Sequence, residues 1–224
     1  QGIKEELFKQ EYLTQIREMH RAIVVQRRGS GDEDEERFAR QRATWSGSAV
    51  EQARQRGYWE LVIKPARFDT RRVPSLADLN AMLLPAAICW QGWTLPVNVH
   101  RATPLVDGIC QNDINEFGPR AWCFYRSGQF CHIWGNLYDW NSIHDSSRIS
   151  DEAWQNQVNN PVIRKPFGLE WAARMFTHIY MFAARLASSG LFQDEDVCIE
   201  NRVAGIEGRY LMEEHVPRRE FGVV

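Results

Sequence analysis

The sequence predicts an α+β domain: a mainly antiparallel sheet with a central hairpin, packed by two helices and preceded by a helical N-terminal extension. Three observations carry this expectation. Arg120–Gly135, RAWCFYRSGQFCHIWG, reads as two aromatic and β-branched strands around a Ser-Gly turn. Ser75–Leu84 and Gly168–Ser189 carry apolar residues at helical spacing. Trp59–Phe68, Ala86–Leu95, Asp196–Arg202 and Arg209–Glu213 read as further strands.

The hairpin is the most informative stretch. Gly128 tolerates φ > 0, which a two-residue hairpin loop requires. With Ser127-Gly128 as that loop, Tyr125 faces Phe130, Phe124 faces Cys131, Cys123 faces His132 and Trp122 faces Ile133. Side chains alternate with a period of two, so Trp122, Phe124, Cys131 and Ile133 share an apolar face meant for the core. The other face carries Ala121, Cys123, Tyr125, Phe130, His132 and Trp134. Its rings have apolar bodies and polar tips. That suits a ligand or partner surface formed by Cys123, Tyr125, Phe130, His132 and Trp134. The competing reading is that a helix covers this face and nothing binds there.

The other elements follow in chain order. Glu5–Arg28 has apolar residues on one helical face. Gly29–Glu36, GSGDEDEE, reads as an exposed acidic linker, and Ser46–Arg56 as a second short helix. The compact domain is expected over 57–213, after an extension or connector at 1–56 and before a tail at 214–224. Trp59–Phe68 alternates like a strand that Pro65 ends. Ser75 is the expected N-cap of the helix bearing Leu76, Leu79, Met82 and Leu83. Ala86–Leu95 reads as a strand, and Val97–Gly118 as a loop-rich excursion holding His100, Arg101, Asp107, Asp113 and Glu116. Tyr138–Phe167 is a second polar excursion, with a turn or two at Ser150–Val158. The clearest helix, Gly168–Ser189, has Leu169, Ala172, Phe176, Ile179, Ala183 and Leu186 as its core stripe and Gly190 as its C′ residue. Asp196–Arg202 and Arg209–Glu213 read as closing strands joined through Gly205 and Gly208.

Composition narrows the function. The 224 residues are 44% hydrophobic and 12% aromatic, enough for a real core. A net charge of −2 argues against a broad nucleic-acid surface. No apolar run is long enough to span a bilayer, so no membrane role is expected. The cysteines at 89, 110, 123, 131 and 198 are odd in number and form no CxxC pair, which suggests a reducing cytoplasm. The chain opens on Gln, so a fragment or processed product is expected, with activity in domains upstream.

No catalytic constellation, phosphate loop, dinucleotide fingerprint, cofactor site or metal site is recognised. Cys123, Cys131 and His132 would leave a zinc ion short of four convergent ligands. Arg174, His178 and Arg185, with Met181 between them, follow a helical stripe that could cradle an anion. An enzyme reading would rest on a Cys123–His132 thiol–imidazole pair. A nucleic-acid reading would use Arg126, Arg164, Lys165, Arg174 and Arg185 on phosphates.

A resemblance adds context. The blocks GYWELVIKP (57–65), RRVPSLADL (71–79), ICWQGWTLP (88–96), WCFYRSGQFCHIWG (122–135) and AARLASSGLFQDEDVCIENRVAGIEGRYL (183–211) span most of the compact domain. Together they resemble a C-terminal domain of bacterial multidomain proteins that carry an AlbA/Schlafen-type DNA-binding, or ATP-binding, module at their N-terminus. Gln91 departs from the basic residue expected before Gly-Trp. The resemblance implies a sensory, regulatory or assembly role beside an effector, in stress response or phage defence, and transfers no catalytic residue. The expected function is therefore a non-catalytic sensor or interaction domain that binds a protein partner, its own copy or a small molecule. The alternatives are the nucleic-acid-binding part of a regulator or nuclease and a Cys/His enzyme.

Overall fold

The computed structural model describes residues 32–90, 93–115, 118–136, 139, 166–192 and 195–212. The Glu5–Arg28 helix, the Ser150–Val158 turns, Arg164, Lys165 and the 214–224 tail lie outside them. The described residues form an α+β fold. In chain order they give α1 (Asp32–Ala43), α2 (Ser48–Arg54), β1 (Tyr58–Pro65), α3 (Leu76–Ala86), β2 (Ile88–Trp90), β3 (Trp93–Leu95), β4 (Thr103–Pro104), β5 (Gly108–Asn115), β6 (Gly118–Tyr125), β7 (Phe130–Gly135), β8 (Pro166–Gly168), α4 (Leu169–Ser188), β9 (Val197–Ala204) and β10 (Tyr210–Met212).

The six-stranded sheet has the order β4-β5-β6-β7-β1-β9, every neighbour antiparallel, with the β6–β7 hairpin at its centre. One face packs against α3 and α4. Trp59, Leu61, Ile63, Trp122, Phe124, Phe130 and Trp134 meet Leu79, Leu83, Ile179, Phe182 and Leu186 there. The Phe130 and Phe182 rings lie 4.7 Å apart, edge to face. The other face carries Val62, Ala121, Cys123, Tyr125, Cys131 and Ile133, and is covered by Trp45 and by Ala49, Val50 and Ala53 of α2.

Local rules explain most elements. The Ser75 hydroxyl accepts the Asp78 N–H at 3.1 Å, capping α3 as expected. Helix α4 follows its predicted span, and Gly190 beyond its end has φ +79°. Its buried face is turned from the predicted stripe. Trp171, Met175, His178 and Phe182 are buried along with Ala172, Ile179, Ala183 and Leu186, whereas Leu169 and Phe176 are exposed.

Several expectations are corrected. Residues 32–36 of the acidic block are not a linker but the opening turn of α1. Acidic residues at that end and Arg40 and Arg42 at the other complement the helix dipole, and Arg37 pairs with Glu33 one turn back. Residues 32–56 also pack on the sheet: Phe38 is fully buried and its ring lies 4.9 Å from that of Phe68. The Val97–Gly118 excursion contains β5, whose polar outer end, from Asn112 to Asn115, hid its pairing with β6. Ala86–Leu95 is the end of α3 followed by the β2–β3 hairpin. Finally, β10 pairs in parallel with β8 and not with β9, which leaves β9 bonded to β1 alone among the described strands.

Candidate functional site

The hairpin loop decides where the candidate residues go. It has three residues, Arg126, Ser127 and Gly128, because the Tyr125 N–H donates to the Gln129 carbonyl and the Gly128 N–H donates back to Tyr125, both at 2.9 Å. Gly128 has φ +86°, as the last position of such a loop requires. The pairs are therefore Trp122 with His132, Cys123 with Cys131 and Phe124 with Phe130. This is one residue off the predicted register, and a one-residue slip moves one strand's side chains to the opposite face. Tertiary bonds hold the longer loop. Ser127 donates to Gln41 at 2.5 Å, Gln129 donates to the Phe38 carbonyl at 3.1 Å, and Arg126 donates to the Val73 and Pro74 carbonyls at 2.9 and 2.6 Å.

The predicted binding face is thus divided. Phe130, His132 and Trp134 lie on the α3/α4 side with Trp122, whereas Cys123 and Tyr125 lie on the α2 side with Cys131. All five are buried, none more than 4% exposed. Cys123 and His132 do not face each other, so the thiol–imidazole pair does not form. Burial pushes the Cys123 and Cys131 thiols well above the usual range, opposite to what a nucleophile needs.

His132 instead lines a cavity of about 20 Å³ with Trp93, Arg120, Trp134, Trp171, Met175 and His178. Its ring centroid lies 4.7 Å from that of Trp134, and the Arg120 guanidinium lies 4.7 Å from the centroid of Trp93. Neither His132 ring nitrogen has a hydrogen-bond partner among the described residues. Burial, reinforced by the Arg120 charge, pushes its pKa down to about 3, so the ring is neutral at physiological pH. A neutral imidazole offers one donor and one acceptor, and the space admits a guest about the size of one water molecule.

The α1 side of the sheet holds a charged cluster with no clear sequence signal. Lys64, 2% exposed in its side chain, donates to Glu35 at 2.7 Å and pairs with Glu200 at 2.7 Å, and its ammonium lies 5.5 Å from the Phe38 ring centroid. Burial pulls the Lys64 pKa down, but bonds and charge from Glu200 and Glu35 outweigh it and the net shift is upward. Burial pushes the Glu200 carboxyl up, and Lys64 and Arg42 overcome this to hold it below its ordinary value. The only hint in the sequence was a lysine inside a mostly apolar strand.

The anion stripe is not assembled. His178 is buried against the core, and its pKa is lowered by burial and by Arg174. Arg174 pairs back with Glu170, and Arg185 donates to the Ala87 carbonyl at 2.8 Å. Of the residues in the nucleic-acid reading, Arg126, Arg174 and Arg185 are therefore held by the chain's own oxygens. Among the described residues no group of three or more His, Cys, Asp or Glu could hold a metal ion, and all five cysteines are free. No helix among them is long and apolar enough to cross a membrane.

What sequence reasoning missed is the outer edge of β9. Ala66 N–H donates to the Asp196 carbonyl at 3.0 Å, so in this antiparallel ladder the even-numbered residues of β9 bond to β1. The backbone groups of Val197, Ile199, Asn201 and Val203 point away from the sheet, and no described strand pairs with them. Finding them would have required knowing that β10 leaves β9 uncovered. Comparison with family models, with curated proteins and with solved structures finds no match to this chain.

Proposed function

We propose that this chain is a non-catalytic regulatory or assembly domain that binds through the rim of its sheet. The observation that carries the reading is β9, an eight-residue edge strand with a continuous row of outward backbone donors and acceptors and neither a bulge nor a proline to guard it. Such edges accept a further strand from a partner. The competing chemistries are disfavoured by contacts already made: the Cys123 and Cys131 thiols are buried and raised, and Arg126, Arg174 and Arg185 are bonded to the chain's own oxygens. In keeping with the resemblance, an effector would lie in an AlbA/Schlafen-type module of the same bacterial protein. The five free cysteines favour a reducing cytoplasm. A second reading, sensing of a small polar guest, is favoured by the unpartnered nitrogens of His132 facing a cavity.

Native mass spectrometry of the purified chain, from low to high micromolar concentration, tests both. The expected result is a discrete oligomer, and under the second reading a mass excess as well. A bare monomer at every concentration would overturn the proposal.

A further inference from the structure

We propose that β9 pairs with β9 of a second copy of this chain, antiparallel, with the two-fold axis through Asn201. The inference rests on the reading of β9 as a binding edge and names its occupant.

Hydrogen-bonded pairing across the new seam must join outward residues to outward residues, Val197, Ile199, Asn201 and Val203 on each side. Three central registers satisfy this. With the axis at Asn201, Ile199 meets Val203 of the copy, Asn201 meets itself, and Glu200 lies opposite Arg202 twice. With the axis at Glu200, that carboxylate stands opposite itself. With the axis at Arg202, that guanidinium does. Like charges directly opposite destabilise a sheet and opposite charges stabilise it, so only the Asn201 axis is self-complementary. A two-fold interface demands this property of a single surface patch.

The unspent groups fit the same register. Arg202 is exposed and makes no hydrogen bond or ion pair among the described residues, and its cross-strand neighbour Glu60 is engaged by Arg54 at 3.4 Å. The Glu200 side chain remains 40% exposed while it holds Lys64, and Arg42 is 3.8 Å away. The carboxamide nitrogen and oxygen of Asn201 are enclosed without a hydrogen-bond partner among the described residues. Ile199 and Val203 already pack at the margin of the core, so pairing extends the apolar face across the seam.

The test compares the chain with Asn201→Pro and Arg202→Glu by sedimentation velocity and native mass spectrometry. Proline at 201 removes an N–H that points away from β1, so no bond within the chain is lost and the thermal melt should hold. Glutamate at 202 stands opposite Glu200 of the copy. The expected result is a dimer whose dissociation constant rises roughly tenfold or more in each variant, with circular dichroism unchanged. A dimer that both folded variants leave intact would overturn the pairing while the assembly reading stands. A monomeric chain carrying a bound mass would overturn the pairing and leave the sensing reading. A bare monomer would overturn all three.

Discussion

Glu35→Gln combined with Glu200→Gln is expected to cost about 3 kcal/mol of folding stability at neutral pH, whereas Lys64→Met should cost less than about 1 kcal/mol. The asymmetry comes from burial. The Lys64 side chain is 2% exposed and cannot regain water if its two carboxylates lose their charge. The Glu35 and Glu200 side chains are 43% and 40% exposed and can be rehydrated once the ammonium is gone. Methionine keeps the stem that fills the space beside Phe38. Because the Glu200 carboxyl is held below its ordinary value, its contribution is full above the unfolded carboxylate range and is lost as pH falls through the folded value. Urea unfolding at several pH values should show that loss in the parent chain and a weaker one in the double variant. Equal costs for the Lys64 and the double Glu variants would mean that the cluster does not hold α1 to the sheet.

The parent chain is expected to lose about 2 kcal/mol more stability than His132→Phe between pH 7.5 and pH 5. His132 titrates near 6.5 when unfolded and near 3 when folded, so between those values the unfolded state binds the extra proton. Stability from its neutral form is full above the unfolded pKa and falls steadily as pH drops towards the folded one. The charged groups around the ring, Arg120 and a protonated His178, would both oppose its protonation. His178, whose pKa is also lowered, remains in the variant and cancels from the comparison. Chemical denaturation curves for the two proteins, measured in parallel across this window, give the difference. Parallel pH profiles would show that His132 is hydrated or bonded in the folded chain.

The architecture was legible where local rules act alone. Ser75 announces its helix through its own hydroxyl, Pro65 ends β1, and the 20-residue α4 shows its period whatever packs on it. The hairpin was legible as a hairpin, but its register was not. Ser127-Gly128 satisfies a two-residue loop locally, and the choice of a three-residue loop rests on Gln41, Phe38, Val73 and Pro74, all distant in sequence. That single residue rearranged the predicted site. The acidic block looked like a linker because its charges cannot bury apolar surface. Its role is electrostatic, at a helix start and on a lysine that lies 29 residues further along the chain. The free edge of β9 depends on which strand β10 chooses, and no local pattern in GIEGRYLM encodes that choice.

Residue-resolved hydrogen exchange of the chain, measured at high concentration and after dilution, tests the central claim most directly. The account predicts that the amides of Ile199, Asn201 and Val203 are slow in the concentrated sample and fast on dilution. The alternating amides of Cys198, Glu200 and Arg202, bonded to β1, should stay slow in both. Three outward amides that exchange at the same fast rate at both concentrations would contradict it.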